Sequence, residues 1–190
     1  AHPDDDAYSL GTLGLLQANG NEVYIAILTT GNVGTQDPEL SMVDLANIRK
    51  QEEQGNLTFI GIRHEGAASF ACSGYAKLSG MPAACMSIAG PGATNLMTGL
   101  WDAKVDRAPL LALTGQVNTQ VFGPGAFQEI DLADAFAPVT AFSQTVLPNS
   151  RHAELMTLAL KNATVQRDVA HLIFPDEVQN ISVDETAEAS

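Results

Sequence analysis

Six short apolar segments recur along the chain, and longer segments with a helical spacing of apolar residues separate them. The apolar segments, which we predict to be strands, span residues 22–28, 57–62, 82–88, 109–114, 139–143 and 169–174. The predicted helices span residues 7–18, 40–54, 65–79, 92–104 and 149–166, with a weaker one at 129–135. Strands that alternate with helices favour a parallel sheet covered on both faces. The sequence therefore predicts a doubly wound α/β fold with a mostly parallel six-stranded sheet.

The loops that follow the predicted strands are the expected positions of a functional site. In open α/β sheets, ligands bind at the carboxyl ends of the strands, near the point where the strand order reverses. The loops concerned span residues 29–38, 63–66, 88–93 and 114–126.

Composition excludes several classes of function. The 190 residues carry a net charge of −13 and no cluster of basic residues, so we expect no binding to nucleic acid. No apolar run approaches the length of a membrane span, so no membrane association is expected. The two cysteines, Cys72 and Cys85, fit no metal motif, and we predict that they are buried thiols in a reducing, cytoplasmic compartment.

One carboxylate, Glu65, stands where a predicted strand ends and a predicted helix begins. An acid at this position is also explained by the favourable dipole of the helix N-terminus. The next strand is followed by the sequence SIAGPGATN, Ser87 to Asn95, which is typical of a strand, a glycine turn and a helix. Glycines in such a turn let the backbone approach a ligand closely, although a plain tight turn has the same sequence signature.

The block from Phe59 to Asn95 resembles the N-terminal, pyrimidine-binding domain of thiamine diphosphate enzymes of the acetolactate synthase and pyruvate oxidase kind. The resemblance extends over about residues 55–179 and includes the sequence RHE. It implies that Glu65 is the catalytic carboxylate that hydrogen-bonds N1′ of the aminopyrimidine and activates the cofactor. It implies further cofactor-binding positions, which are Gly90, Pro91, Gly92, Asn95 and Gln128. Phe127 and His64 are secondary candidates.

The same resemblance implies that the cofactor site is incomplete in this chain. In the family, another domain with a GDG motif holds the diphosphate and Mg²⁺, and the 190 residues contain no GDG. We therefore expect a contribution to 2-keto acid decarboxylation and carboligation, without catalysis in isolation. The expected partners are a diphosphate-binding domain or further copies of the chain. We predict that Phe122, Phe127 and Phe136 lie on a surface that self-associates.

The first residues, AHPDDD, resemble a different family, the LmbE-like zinc deacetylases of N-acetyl sugars, over about residues 1–54. That resemblance implies zinc binding by His2 and Asp5, with Asp4 as the general base. The third ligand of that family has no match here, because the remaining histidines, His64, His152 and His171, lie outside its motif. Asp4 to Asp6 are better explained as caps of the first helix that complement its dipole.

Together the two resemblances predict a single chimeric α/β domain over residues 1–179. Its segment 1–54 is deacetylase-like, its segment 55–179 is of the pyrimidine-binding type, and the origin of the join, engineered or natural, is open. Residues 176–190 carry five acids and no base, which is typical of a solvated segment, so an acidic tail or linker is expected over 180–190. Two alternatives remain, a zinc deacetylase remnant and a folded recombinant scaffold without activity.

Overall fold

The strands of the sheet all run parallel. The computed structural model describes residues 24–27, 58–179 and 181. The strands are β1 (Tyr24–Ile27), β2 (Thr58–Gly61), β3 (Ala83–Ser87), β4 (Leu110–Gln116), β5 (Phe142–Thr145) and β6 (Val169–Pro175), and they pair in the order β2-β1-β3-β4-β6-β5. Tyr24 pairs with Thr58 and Ile25 with Ala84, so β1 lies between β2 and β3. The predicted parallel α/β class is confirmed.

The helices connect these strands. They are α1 (Glu65–Ser79), α2 (Pro91–Val105), α3 (Leu132–Phe136), α4 (His152–Gln166) and α5 (Asp176–Gln179), with 3-10 turns at Thr119–Val121 and Ala137–Val139. The boundaries predicted for α1 are confirmed, because Gly80 adopts the left-handed conformation (φ 73°) that ends a helix. None of the described helices is both long and apolar enough to cross a membrane.

Alternate residues of the central strands point to opposite faces, and a separate apolar cluster covers each face. Cys85, Leu110 and Ala112 pack with α1, α2 and α3, where Leu96, Leu100 and Phe136 are fully buried. Ala84, Leu111 and Leu113 pack on the other face with Met156, Ala159 and Ala163 of α4. Because successive side chains of a strand point to opposite faces, each face of the sheet presents its own apolar residues to one layer of helices. Cys72 and Cys85 are free and buried, as predicted.

Helices α1 and α2 approach each other closely at a glycine. A Cβ atom on Gly99 would meet the Oγ of Ser69 and would lie 2.6 Å from the backbone nitrogen of Phe70. Toward their C-terminal ends the helices are joined by Lys77, whose Nζ lies 2.6 Å from carboxylate oxygens of Asp102 and Asp106. Hydrogen bonds to Asp102 and Asp106 raise the pKa of Lys77.

His171 is a fully buried polar residue in the middle of β6. Its Nε2 lies 2.8 Å from the Oγ1 of Thr114, and its Nδ1 lies 3.0 Å from the Oγ of Ser143. The ring of Phe136 stacks on the imidazole, with ring centroids 4.2 Å apart. Burial lowers the pKa of His171 to about 3, so the ring is neutral at physiological pH.

Three sequence predictions need correction. Phe136 was predicted on a surface, but it is buried against His171; Phe122 and Phe127 are exposed. The strand predicted at 139–143 lies at 142–145, because the segment with Pro138 forms a 3-10 turn first. Residues 176–179 form a helical turn with Val178 buried, rather than a solvated segment. The predicted helices at 7–18 and 40–54 lie outside the described residues, as does the 180–190 tail apart from Ile181.

We expect Gly99→Ala to lower the free energy of unfolding by about 1–3 kcal/mol, because the added methyl group overlaps backbone atoms of α1. Urea denaturation measures this change. Gly74→Ala is the matched control, since a Cβ at Gly74 meets nothing within 4 Å. In this helical position alanine is expected to stabilise the protein by roughly 0.5–1 kcal/mol. Equal effects of the two substitutions would contradict the close helix crossing.

Acidification is expected to destabilise the fold through His171. The pKa of His171 is lower in the folded protein than in the unfolded chain, so the unfolded chain binds the extra proton below about pH 6.5. Between that pH and about 3, this group removes roughly 1.4 kcal/mol of stability per pH unit. Urea unfolding at several pH values should show a shallower acid slope for His171→Gln.

Candidate functional site

The strand order reverses at β1, so the switch point of the sheet lies at the carboxyl ends of β1 and β3. From β1 the chain continues to β2 on one side, and it then returns to β3 on the other side. Ligands of open α/β sheets bind at such a switch point. Glu65 follows β2 and Gly90 follows β3, so both lie at this edge of the sheet.

Glu65 is the first residue of α1 and is partly buried. The preceding residue, His64, caps the helix, because its Nδ1 accepts a hydrogen bond of 3.0 Å from the backbone N–H of Gly66. Oε2 of Glu65 accepts a hydrogen bond of 3.1 Å from Nδ2 of Asn95. His64 therefore has a structural partner of its own, whereas the Glu65 carboxylate is oriented by a residue of α2.

The glycine turn brings α2 against this carboxylate. Gly90, with φ 64°, is the N-cap of α2, and Pro91 occupies its exposed first position. A Cβ atom on Gly92 would lie 3.1 Å from Oε1 of Glu65 and 2.5 Å from Cγ2 of Ile88. The absence of a side chain at Gly92 is what leaves room for Glu65. The structure thus brings the predicted residues Glu65, Gly92 and Asn95 together.

Gln128 reaches the same turn from the loop after β4. It adopts a left-handed conformation (φ 66°), which costs roughly 1–2 kcal/mol for a residue with a side chain. A Cβ atom on Gly90 would lie 2.7 Å from the carbonyl oxygen of Gln128, so the two backbones are in contact. Phe127 beside it is 88% exposed. The structure therefore places Gln128 beside the glycine turn.

Glu129 was missed by the sequence analysis. Its Oε1 accepts a hydrogen bond of 2.6 Å from the N–H of Gly123, and its Oε2 accepts bonds from Gly125 (3.0 Å) and Ala126 (2.8 Å). These backbone hydrogen bonds, that of Ala126 foremost, lower the pKa of Glu129. The sequence signal for this contact was an acid that closely follows GPGA. Glycine-rich turns expose backbone N–H groups, from which a carboxylate can accept hydrogen bonds.

The loop from Val117 to Asp131 is held at further points. Nε2 of Gln116 donates to the carbonyl of Ile130 (2.7 Å), and its Oε1 accepts from the N–H of Val117 (2.9 Å). The carboxylate of Glu177 accepts from the N–H of Thr119 (3.2 Å) and from its hydroxyl. One side of the loop also borders a cavity of about 270 Å³ at the ends of β4, β5 and β6, whose lining contains none of the predicted site residues.

The predicted metal site falls outside the described residues, which do not include His2, Asp4 or Asp5. Within residues 58–179, no group of three or more His, Cys, Asp and Glu side chains could hold a metal ion. The histidines there have other partners. His64 caps α1, Nε2 of His152 lies 2.9 Å from the carbonyl oxygen of Leu147, and His171 is buried.

Known proteins match the part of the chain that carries this edge. Residues 31–135 match the family described as "Thiamine pyrophosphate enzyme, N-terminal TPP binding domain". The chain is 41% identical over 130 residues to the "Probable acetolactate synthase large subunit" of Methanocaldococcus jannaschii. It is 38% identical over 138 residues to the "Acetolactate synthase" of Arthrospira platensis, and 46% identical over 123 residues to that of Mycobacterium leprae.

These matches cover most of this chain but a small part of each relative. They include 68%, 72% and 64% of the chain, and 22%, 24% and 20% of the respective relatives. The chain therefore spans about a fifth to a quarter of the length of these relatives. The family match contains Glu65, the glycine turn and Gln128, and it begins at residue 31, inside the segment predicted to be deacetylase-like. The resemblance of residues 1–54 to zinc deacetylases stays a prediction.

We expect Gly92→Ala to displace Glu65, because the new methyl group overlaps Ile88 and crowds the carboxylate. The amide resonances of Glu65 and Asn95 should shift, and the free energy of unfolding should fall by about 1–3 kcal/mol. Nuclear magnetic resonance and urea denaturation measure the two effects. Gly74→Ala, on the open part of α1, should leave both resonances in place. An unperturbed Glu65 in Gly92→Ala would show that the contact does not orient the carboxylate.

Proposed function

The chain belongs to the family of the N-terminal TPP binding domain of thiamine pyrophosphate enzymes. We propose that Glu65, Gly92 and Asn95 contact the aminopyrimidine ring of the cofactor, thiamine diphosphate. The single observation that carries this proposal is the geometry of Glu65. Asn95 holds one of its carboxylate oxygens at 3.1 Å, and the other oxygen accepts no hydrogen bond from the described residues. A fixed carboxylate oxygen at a switch point is suited to share a proton with a ring nitrogen.

The residues of this edge fit the pyrimidine half of the cofactor. Glu65 supplies a proton acceptor, and Gly90 and Gly92 present backbone without side chains beside it. Partial burial of Glu65 reduces competition from water for the free oxygen. Asn95 keeps the carboxylate from turning away from the edge. When bound, thiamine diphosphate supplies the chemistry that decarboxylates and joins 2-keto acids, while these residues bind and orient the ring.

We assign the diphosphate and Mg²⁺ to a domain other than this one. The chain carries a net charge of −13, and an acidic surface does not attract a polyanion without a metal ion. The names of the relatives, acetolactate synthases, support 2-keto acids as the substrate class of the complete enzyme. A second copy of the chain or a separate diphosphate-binding domain would complete the site. No observation on the described residues favours a zinc deacetylase, so we propose no second function.

Glu65→Gln is expected to weaken binding of thiamine diphosphate in the presence of Mg²⁺. The wild-type chain should bind it with a Kd weaker than about 10 μM, because the diphosphate is not clamped. Loss of the charged hydrogen-bond acceptor should weaken binding a further 10- to 100-fold, about 1.5–3 kcal/mol. The measurement is the shift of the Gly92 and Asn95 amide resonances during titration.

The matched control is Glu154→Gln on α4, where the carboxylate pairs with the exposed Arg151. It should bind the cofactor like the wild type. Equal affinities of Glu65→Gln and the wild type would contradict the proposed role of Glu65. Ligand-induced shifts confined to residues outside the turn at Gly90 and Gly92 would place the ring elsewhere.

A further inference from the structure

We infer that Glu129 is a positioning residue of this site, because its carboxylate folds the loop that places Gln128 against the glycine turn. The ligand part of this inference rests on the proposed function, and the geometric part stands without it. The hydrogen bonds of the Glu129 carboxylate are made with its own loop. Its effect on the site passes through the backbone.

The carboxylate of Glu129 organises the loop that precedes it. Both of its carboxylate oxygens are occupied by N–H groups of Gly123, Gly125 and Ala126, at 2.6, 3.0 and 2.8 Å. Its own N–H donates to the carbonyl of Ala126 at 2.9 Å, which closes a turn over residues 126–129. Three converging N–H donors are satisfied by a carboxylate, whereas a neutral amide offers one oxygen and presents its own donors to the loop.

Gln128 is a strained residue inside that turn. Gln128 is left-handed at φ 66°, a conformation that residues with side chains adopt only when the surroundings hold them in it. The backbone N–H of Glu129 closes the turn around Gln128, and the carboxylate of Glu129 holds its opposite end through the N–H of Ala126. Loss of the carboxylate bond would loosen the turn and let Gln128 relax toward an ordinary backbone conformation.

Gln128 is linked to the carboxylate of Glu65 through Gly90 and the start of α2. The carbonyl oxygen of Gln128 occupies the space beside Gly90 that a Cβ atom would enter at 2.7 Å. The carbonyl of Gly90 accepts the N–H of Thr94 at 3.1 Å in the first turn of α2, next to the residue that holds Glu65. Movement of Gln128 therefore changes the support of the helix start from which Asn95 reaches Glu65.

The test is Glu129→Gln, which keeps the shape of the side chain and removes the charge. Amide hydrogen exchange at Gly123, Gly125 and Ala126 should accelerate at least about tenfold. The amide resonances of Gln128, Gly90 and Asn95 should shift, and the affinity for thiamine diphosphate with Mg²⁺ should fall about fivefold. Protection of Leu111 and Leu113 in β4 reports that the fold is intact.

Glu129→Asp is the second variant, because it keeps the charge on a side chain one methylene shorter. Its exchange rates should lie between those of the wild type and Glu129→Gln, and it decides the matter if the glutamine variant does not fold. Glu154→Gln again serves as the control for loss of a surface carboxylate, and it should leave the resonances of Gly90 and Gln128 in place.

The outcomes separate the inference from the proposed function. Changes that stay within residues 123–126, with Gly90 and Asn95 unperturbed, would overturn the inference. If the wild type binds the cofactor and Glu129→Gln binds it equally well, the inference also fails while the proposed function stands. If the wild type shows no binding, the proposed function fails, and shifts at Gly90 and Asn95 in Glu129→Gln still support the positioning role.

Discussion

The close crossing of α1 and α2 at Gly99 is the constraint on which the candidate site depends. The two helices begin after β2 and β3, on either side of β1, and only a residue without a side chain lets their backbones meet at Ser69. With the axes this close, the first turns of both helices face each other, so that Glu65 and Asn95 form a hydrogen bond across 30 residues of sequence. A wider helix pair would separate the carboxylate from the amide that orients it.

Carboxylates also organise the rest of the carboxyl edge, and they do so by accepting backbone N–H groups. Glu129 binds three amides of its own loop, and Glu177 holds the other end of the same loop at Thr119. Asp131 caps α3 by accepting the N–H of Asp134 at 3.1 Å. Among the described residues, part of the strong negative charge of the chain is therefore structural, since each of these acids replaces hydrogen bonds that a loop cannot make with itself.

The sequence allowed the class of the fold and most element positions to be predicted, because apolar periodicity and helix-ending glycines are local signals. The boundaries of α1 follow from Gly80, and those of α2 from the glycine turn and Pro91. The burial of Phe136 was not predictable, since a pattern does not reveal which apolar side chain meets the sheet. Glu65, Gly92 and Asn95 were identified through a family resemblance, and their contact depends on a helix crossing that no local signal encodes. The role of Glu129 was not predicted, because its partners are backbone N–H groups, which every residue type except proline carries.

The buried histidine has a consequence for how the edge of the sheet is aligned. His171 bridges Thr114 on β4 and Ser143 on β5, so one buried imidazole joins three adjacent strands. The edge strand β5 has four residues and is only partly buried, so hydrophobic contact alone specifies its pairing weakly. A slip by one residue would replace the Ser143 hydroxyl with the side chain of Phe142 or Gln144, turn the polar face of β5 away and leave a ring nitrogen without its partner. His171 thus helps to fix the register of β5, because the neighbouring registers carry the free-energy cost of a buried ring nitrogen without a hydrogen bond.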